Sequence, residues 1–180
     1  SSRTTFRLPQ VANGSYRGGS FRTSFIIFNM SNSTANTMLT LTSDLGTPFP
    51  VTMSGHGTNS TFNLTLAPGA SLFLQTEGSG PLSTGAATIT SDVPLGAAAI
   101  FRVYNAQGQF QAEAAVGDSP NLTELTFPVD VTDSYNTGVA FFAPAGTQVD
   151  MKLLDMEGTI VATATTKTTV APIVLLPNYH

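Results

Sequence analysis

The chain has 180 residues, of which 41% are hydrophobic and only 10% charged, with a net charge of −4. Ordinary soluble domains carry about a quarter charged residues; here 27 threonines and 16 serines supply most of the polarity. That balance excludes a coiled coil, which needs abundant Lys, Glu and Arg, a disordered chain, which is poor in apolar residues and rich in charge, and a nucleic-acid binder with a basic excess.

The absence of cysteine removes disulfides, thiolate metal sites and thiol nucleophiles from consideration. A chain of this size can bury a conventional core without such staples. No apolar run reaches the roughly 18 residues of a membrane-spanning helix, so no membrane span is expected. The opening Ser1-Ser2-Arg3 suits a mature product after signal removal, and a trimmed chain would begin in the same way.

Period-two alternation runs through the chain and predicts half-buried antiparallel strands. Residues 4–8 (Thr-Thr-Phe-Arg-Leu) alternate first, followed by the apolar run Phe25-Ile26-Ile27-Phe28. Thr37, Leu39 and Leu41 then share one face, as do Phe62, Leu64 and Leu66. Leu72-Phe73-Leu74, residues 86–90 and residues 95–104 follow, then Val149, Met151 and Leu153, and finally the apolar residues 170–176. Turn signals separate these segments: Asn13-Gly14, Gly18-Gly19, Gly55-His56-Gly57, Pro68-Gly69, Gly78-Ser79-Gly80-Pro81, Asn105 to Gly108 and Glu157-Gly158. No window has a helical period with caps. Short strands at this spacing predict an all-β, sandwich-type architecture.

Charge is placed unevenly. Arg3, Arg7, Arg17 and Arg22 precede the first acidic residue, Asp44, so residues 1–43 carry +4 and the remainder −8. A basic arm on an acidic body is a candidate head-to-tail match between subunits; four solvated arginines near a terminus are the plainer alternative.

An internal repeat emerges from the strand order. Leu8-Pro9 matches Phe127-Pro128, Ser20-Phe21-Arg22-Thr23 matches Ser134-Tyr135-Asn136-Thr137, Leu39 and Leu41 match Met151 and Leu153, and Leu66-Ala67-Pro68 matches Val170-Ala171-Pro172. The matches keep their order while the offset drifts, as loop-length changes after a duplication would produce. Two tandem, diverged antiparallel β-sandwich modules of immunoglobulin-like or jelly-roll-like type are therefore predicted, at 1–116 and 117–180. The second is shorter and has no counterpart of the last strands of the first, which predicts an open edge and an uncovered apolar face. The first module or residues 107–116 are candidates to cover it, and a flatter arrangement in which the second copy is complete as it stands is the other plain alternative to a strand from another subunit.

Phe21 to Asn29, Leu66-Ala67-Pro68-Gly69-Ala70-Ser71, Ser91 to Gly96 and Ile100-Phe101-Arg102 together resemble the repeated β-sandwich modules of uncharacterised secreted bacterial proteins of Acidobacteria type. Pro128-Val129-Asp130 and Asn136-Thr137-Gly138 match the opening of that family's second module. The resemblance implies a secreted, non-enzymatic architecture and supplies no catalytic residues.

Reactive constellations are few. His56 is the single internal histidine, flanked by glycines as at a hairpin tip, and a Ser/His/Asp site would require it to meet a carboxylate such as Asp44. Transition-metal ligands are too scarce for a site, and the densest acid pairs, Asp130/Asp133 and Asp155/Glu157, match no calcium-loop pattern. Paired carboxylates for glycoside hydrolysis exist, but tryptophan, the favoured sugar-stacking residue, is absent. No catalytic residue, cofactor or metal site is expected. Asn-x-Ser/Thr sequons make Asn13, Asn29, Asn32, Asn59, Asn63 and Asn121 candidate glycosylation acceptors.

The functional expectation is a non-enzymatic structural protein, extracellular or at the cell surface. It would be a surface-layer component or fibre subunit whose principal partner is another copy of itself. Strand exchange would use a terminal strand carrying Phe6 and Leu8, or Val170 and Leu175, to complete a neighbour's open sandwich. The alternative is an adhesion or glycan-binding module of a larger secreted protein, marked by clustered aromatics near Tyr16, Tyr104 or Tyr135.

Overall fold

The computed structural model describes residues 3–119, 122–130, 137–144, 146–168 and 174–175. Every regular element among them is a strand. In chain order these are β1 (Arg3–Tyr16), β2 (Gly19–Asn29), β3 (Ala35–Ser43), β4 (Val51–Met53), β5 (Gly57–Asn59), β6 (Thr61–Leu66), β7 (Ser71–Gln75) and β8 (Ser83–Asn105). They continue as β9 (Phe110–Val116), β10 (Val139–Ala140), β11 (Gln148–Leu154), β12 (Ile160–Lys167) and β13 (Val174–Leu175). The all-β class predicted from alternation is what the chain adopts, as a curled antiparallel sheet with sandwich-like layering. No helix among the described residues is long and apolar enough to cross a membrane.

The curl is made by β8, which is 23 residues long. Its first half lies between β1 and β3, with Leu8 opposite Ala87 on one edge and Leu41 opposite Ala87 on the other. Its second half lies between β2 and β9, with Phe25 opposite Ala99 and Val116 opposite the same residue. One strand thereby belongs to two layers, β6–β3–β8–β1 and β9–β8–β2–β7. The sequence separates residues 86–90 from 95–104 at Ser91-Asp92-Val93-Pro94, but the backbone runs through as one strand. Residues 92–94 face no ladder partner on either edge. A proline, which has no N–H to donate, costs nothing there.

A second expectation changes at Asn13-Gly14, which reads as a turn but lies inside β1. Asn13 still pairs with Ser83 of β8, whereas Gly14 already pairs with Phe21 of β2. Gly14 has φ 110°, and a Cβ there would collide with the carbonyl of Pro81. Glycine is used at this point to move a strand from one layer to the other rather than to reverse it. Reversal follows at Arg17-Gly18.

The core forms between the layers because alternate side chains of each strand point inward. Leu8, Phe25, Ile27, Leu39, Leu41, Leu74 and Ile89 are all fully buried or nearly so. The short β4–β5 ladder closes one side with Val51 and Met53, and its next residue, Ser54, donates its N–H to the carbonyl of Gln75 at 3.0 Å. Thr23 ties β2 to β1 and to the residue that follows β7 inside this core. Its Oγ1 donates to the Ala12 carbonyl at 2.8 Å and accepts from the Ala12 N–H at 3.0 Å. Its own N–H donates to Thr76 Oγ1 at 2.9 Å. These bonds satisfy β1 backbone groups near the register shift between Leu8 and Val11, where the ladder is interrupted.

The later residues are organised differently. β11 and β12 form a hairpin, and β10 pairs with β13. These ladders repeat two pairings of the first part, β3 with β6 and β2 with β7. Leu39 faces Phe62 and Met151 faces Ala164, so the register places Ala164 in the position of Phe62. Among residues 117–168 whose burial is described, Thr168 is the single buried side chain, and every described residue of the hydrophobic core lies between Phe6 and Ala99.

Candidate functional site

A shallow groove of about 370 Å³ lies on the outer face of β3, β6 and β8. Outward positions of three adjacent strands build it: Asn36 and Met38, Asn63 and Thr65, Thr90 and Asp92. Asp92 accepts from the backbone N–H of Asn36 at 2.8 Å and from its Nδ2 at 2.7 Å. Those two bonds stabilise the charged carboxylate and hold its pKa below the ordinary 3.8. The lining offers hydroxyls, amides and a single carboxylate, a hydrogen-bonding surface without an acid–base pair.

His56 occupies the β4–β5 turn, exposed, with its N–H donating to the Met53 carbonyl at 2.9 Å. Asp44 accepts a hydrogen bond from Thr84 Oγ1 instead of facing an imidazole. Asp155 is occupied in its own turn, accepting from the N–H groups of Glu157 at 3.1 Å and Thr159 at 2.7 Å. No cluster of three or more His, Asp or Glu gathers among the described residues. Asp133 lies outside them.

The strand residues proposed for exchange have divided fates. Phe6 and Leu8 are buried in the chain's own core, opposite Ile89 and Ala87. The expectation that this terminal strand is free for a neighbour is corrected: its apolar face already completes its own sandwich. Leu175 is in β13, its backbone paired with Val139. Val170 lies outside the described residues.

The sequons divide in the same way. Asn29 is buried, its Nδ2 donating to the carbonyls of Ser33 at 2.6 Å, Leu66 at 3.1 Å and Ala67 at 3.1 Å. Asn13 is buried as well and grips the β7–β8 loop, through Nδ2 to the Ser79 carbonyl at 3.2 Å and Oδ1 from the Gly78 N–H at 3.0 Å. In both, the nitrogen that a glycan would modify is a structural donor, which corrects the expectation for these two sites. Asn32, Asn59 and Asn63 are exposed. Asn121 lies outside the described residues.

Of the four arginines of the basic arm, Arg3 and Arg22 have side-chain partners, Arg7 is engaged through its backbone N–H, and Arg17 is exposed. Arg3 forms an ion pair with Asp118, and the Arg7 N–H donates to the same carboxylate at 2.8 Å. Arg22 and Arg102 stand directly opposite each other on β2 and β8. Such like-charge pairs destabilise a sheet unless relieved. Glu113 takes Arg102 at 2.9 Å, and the Arg22 guanidinium lies 5.1 Å from the centre of the Tyr104 ring. Aromatic pairs flank this end of the sheet: Tyr104 with Phe110 at 6.3 Å and Tyr16 with Phe21 at 5.3 Å. Alternation along β2 puts Phe21 and Arg22 on opposite faces, so the two pairs do not form one platform. Tyr135 lies outside the described residues.

What the sequence reading missed is an uncovered apolar patch in the first part of the chain. Phe28 and Phe73 project from the outer face of β2 and β7, 42% and 55% exposed, with the Phe28 ring lying over Gly96. The signal was available: Phe25-Ile26-Ile27-Phe28 and Leu72-Phe73-Leu74 are apolar on both faces of a strand. Further along, Leu122, Leu125, Phe127 and Val129 are exposed in a segment that joins no ladder among the described residues. In the β11–β12 hairpin, Val149, Met151, Leu153, Ala162 and Ala164 share one face, and Leu153 is 41% exposed.

No known family model and no curated protein matches the chain. Among solved structures the chain is similar to one described as "Thermotoga maritima 1070", at 13% identity and a TM-score of 0.49, over 66% of this chain and 96% of that one.

Proposed function

We propose that the chain is a non-enzymatic structural subunit of an extracellular or cell-surface assembly, joined to its neighbours by β-strand addition. The observation that carries this reading is the β11–β12 hairpin together with the apolar segment 122–129: Leu153, Leu125 and Phe127 are exposed, and the edge of β11 away from β12 has no ladder partner among the described residues. A two-stranded hairpin alone is marginal in water, and open strand edges are templates for pairing with another chain. Scarce charge, 10% of residues, removes the usual electrostatic defence against such pairing. The resemblance to secreted tandem modules and the hydroxyl-coated outer faces suit an extracellular setting. Because β1 is committed to its own core, the donor in this assembly is not the strand carrying Phe6 and Leu8.

Sedimentation at rising protein concentration, with electron microscopy of the same samples, tests the reading. Concentration-dependent oligomers or filaments are expected, and a monomer throughout the range overturns it.

A second reading, an adhesion or glycan-binding module, is favoured by the polar groove around Asn36 and Asp92 and by the Tyr104–Phe110 pair beside Arg22. A glycan array decides it: binding that Tyr104→Ala or Asn36→Ala removes supports this reading, and a blank array ends it.

A further inference from the structure

In the first copy of the repeat, β8 is seated between β1 and β3. The register fixes which side chains meet there. Ile89 lies opposite both Phe6 and Leu39, and Ala87 lies opposite both Leu8 and Leu41. One face of one strand thus fills the space between two flanking strands, with a β-branched residue at one level and an alanine at the next. Glycine serves the third level, because a Cβ on Gly85 would run into the Thr42 carbonyl and the Phe49 ring. The other face of this stretch carries Thr84, Ala86, Thr88 and Thr90.

The repeat maps both flanking strands onto the later part of the chain. Leu8-Pro9 corresponds to Phe127-Pro128, which places Leu125 at the position of Phe6; Leu39 and Leu41 correspond to Met151 and Leu153. Residues 122–129 join no ladder among the described residues, with Leu125 at 62% and Phe127 at 39% exposure. β11 pairs with β12 on one edge alone among the described residues. The two segments left open are therefore the counterparts of the two that hold β8.

We infer that residues 122–129 and the free edge of β11 form an acceptor for one β-strand of the β8 type donated by another polypeptide. The inference takes from the proposed function that its partner is a strand from another molecule, and it names the acceptor and the chemistry of the donor. The incoming strand runs antiparallel to both segments. Its inward face carries a β-branched aliphatic residue opposite Leu125 and Met151, an alanine opposite Phe127 and Leu153, and a glycine one level further; its outward face carries threonine or serine. Backbone hydrogen bonds along both edges supply affinity, and the alternation of inward side chains supplies register. The chain's own β8 is not this donor, since Ala87 and Ile89 are fully buried in its own core.

A labelled peptide of residues 83–95 is the probe, titrated by fluorescence anisotropy into the intact 180-residue chain. Saturable binding is expected, with protection from hydrogen exchange appearing at 122–129 and 148–154. Phe127→Asp and Met151→Asp each place a charge on the acceptor face and should weaken binding by about tenfold or more. Both residues are at least partly exposed, so circular dichroism of the variants should stay that of the parent. Phe73→Ser, on a different exposed face, should leave binding unchanged, and a peptide with Ile89→Asp should not bind.

Absence of binding, or binding indifferent to Phe127→Asp and Met151→Asp, overturns the inference; indifference would mean that the peptide invades the chain's own β1–β3 layer. Self-association abolished by Met151→Asp without peptide capture identifies a second copy as the occupant and overturns the β8-type assignment. Filaments insensitive to both variants leave assembly standing and remove this acceptor. Peptide capture by a chain that stays monomeric supports the acceptor while overturning growth from identical subunits.

Discussion

The strand β3 and its counterpart β11 carry nearly the same pattern and meet opposite fates. In β3, Thr37, Leu39 and Leu41 are buried, with β8 along one edge and β6 along the other. In β11, Val149, Met151 and Leu153 face outward enough for Leu153 to be 41% exposed, and the edge away from β12 has no partner among the described residues. The local sequence supplies an amphipathic strand in both cases. What differs is whether another strand and another layer are present, and that alone decides whether the same alternation becomes core or binding surface.

The largest expected effect tests that contrast directly. Leu39→Ala should cost about 2–5 kcal/mol in urea unfolding, the usual range for a buried leucine. Met151→Ala, at the matching position of the repeat, should cost less than about 0.5 kcal/mol in the isolated chain. A cost for Met151→Ala close to that for Leu39→Ala would break the comparison and place β11 in a core.

Asn29→Ala comes next. It leaves the carbonyls of Ser33, Leu66 and Ala67 without the amide that now serves them, and should destabilise by about 2–3 kcal/mol. The sequon asparagine Asn63, exposed on β6, should tolerate Asn63→Gln within about 0.5 kcal/mol. Equal effects at the two sites would remove the distinction between structural and surface sequons. Thr23→Val, which keeps shape and deletes both bonds to Ala12, should cost about 1–3 kcal/mol by the same measurement.

The smallest effect is electrostatic. The hydrogen bonds from Asn36 depress the folded-state pKa of Asp92, so this contribution is present above its ordinary 3.8 and is lost as pH falls through the lower folded value. The carboxyl resonance of Asp92 in an NMR titration should have its midpoint below 3.8, and Asn36→Ala should move the midpoint back toward it. The group is exposed, and a shift that persists in Asn36→Ala would assign the depression to another cause.

Much of the architecture can be read from residue order. Phe62-Asn63-Leu64-Thr65-Leu66 alternates strictly, and β6 has the matching in-and-out burial. Gly55-His56-Gly57 and Asn105 to Gly108 read as turns and connect β4 to β5 and β8 to β9. The reading fails where a strand changes partners. Asn13-Gly14 and Ser91 to Pro94 carry turn residues, yet the chain continues extended through both because each marks a crossing between layers rather than a reversal. Sequons mislead for a related reason: Asn-x-Ser/Thr specifies a chemical pattern, while the fold decides whether the amide points to solvent or to three carbonyls, as at Asn29.

Sequence alone therefore determines that this chain is all-β, because a period of two in hydrophobicity, frequent Gly and Pro, and Thr in place of charge admit little else. The repeat is a reading of residue order, since the matches keep their order while their offsets drift. Only the tertiary structure decides which copy closes. Burial depends on a neighbour supplied from elsewhere along the chain, and a strand's own alternation is the same whether that neighbour is present or not. β8 supplies it for β1 and β3, and no described residue supplies it for 122–129 and β11.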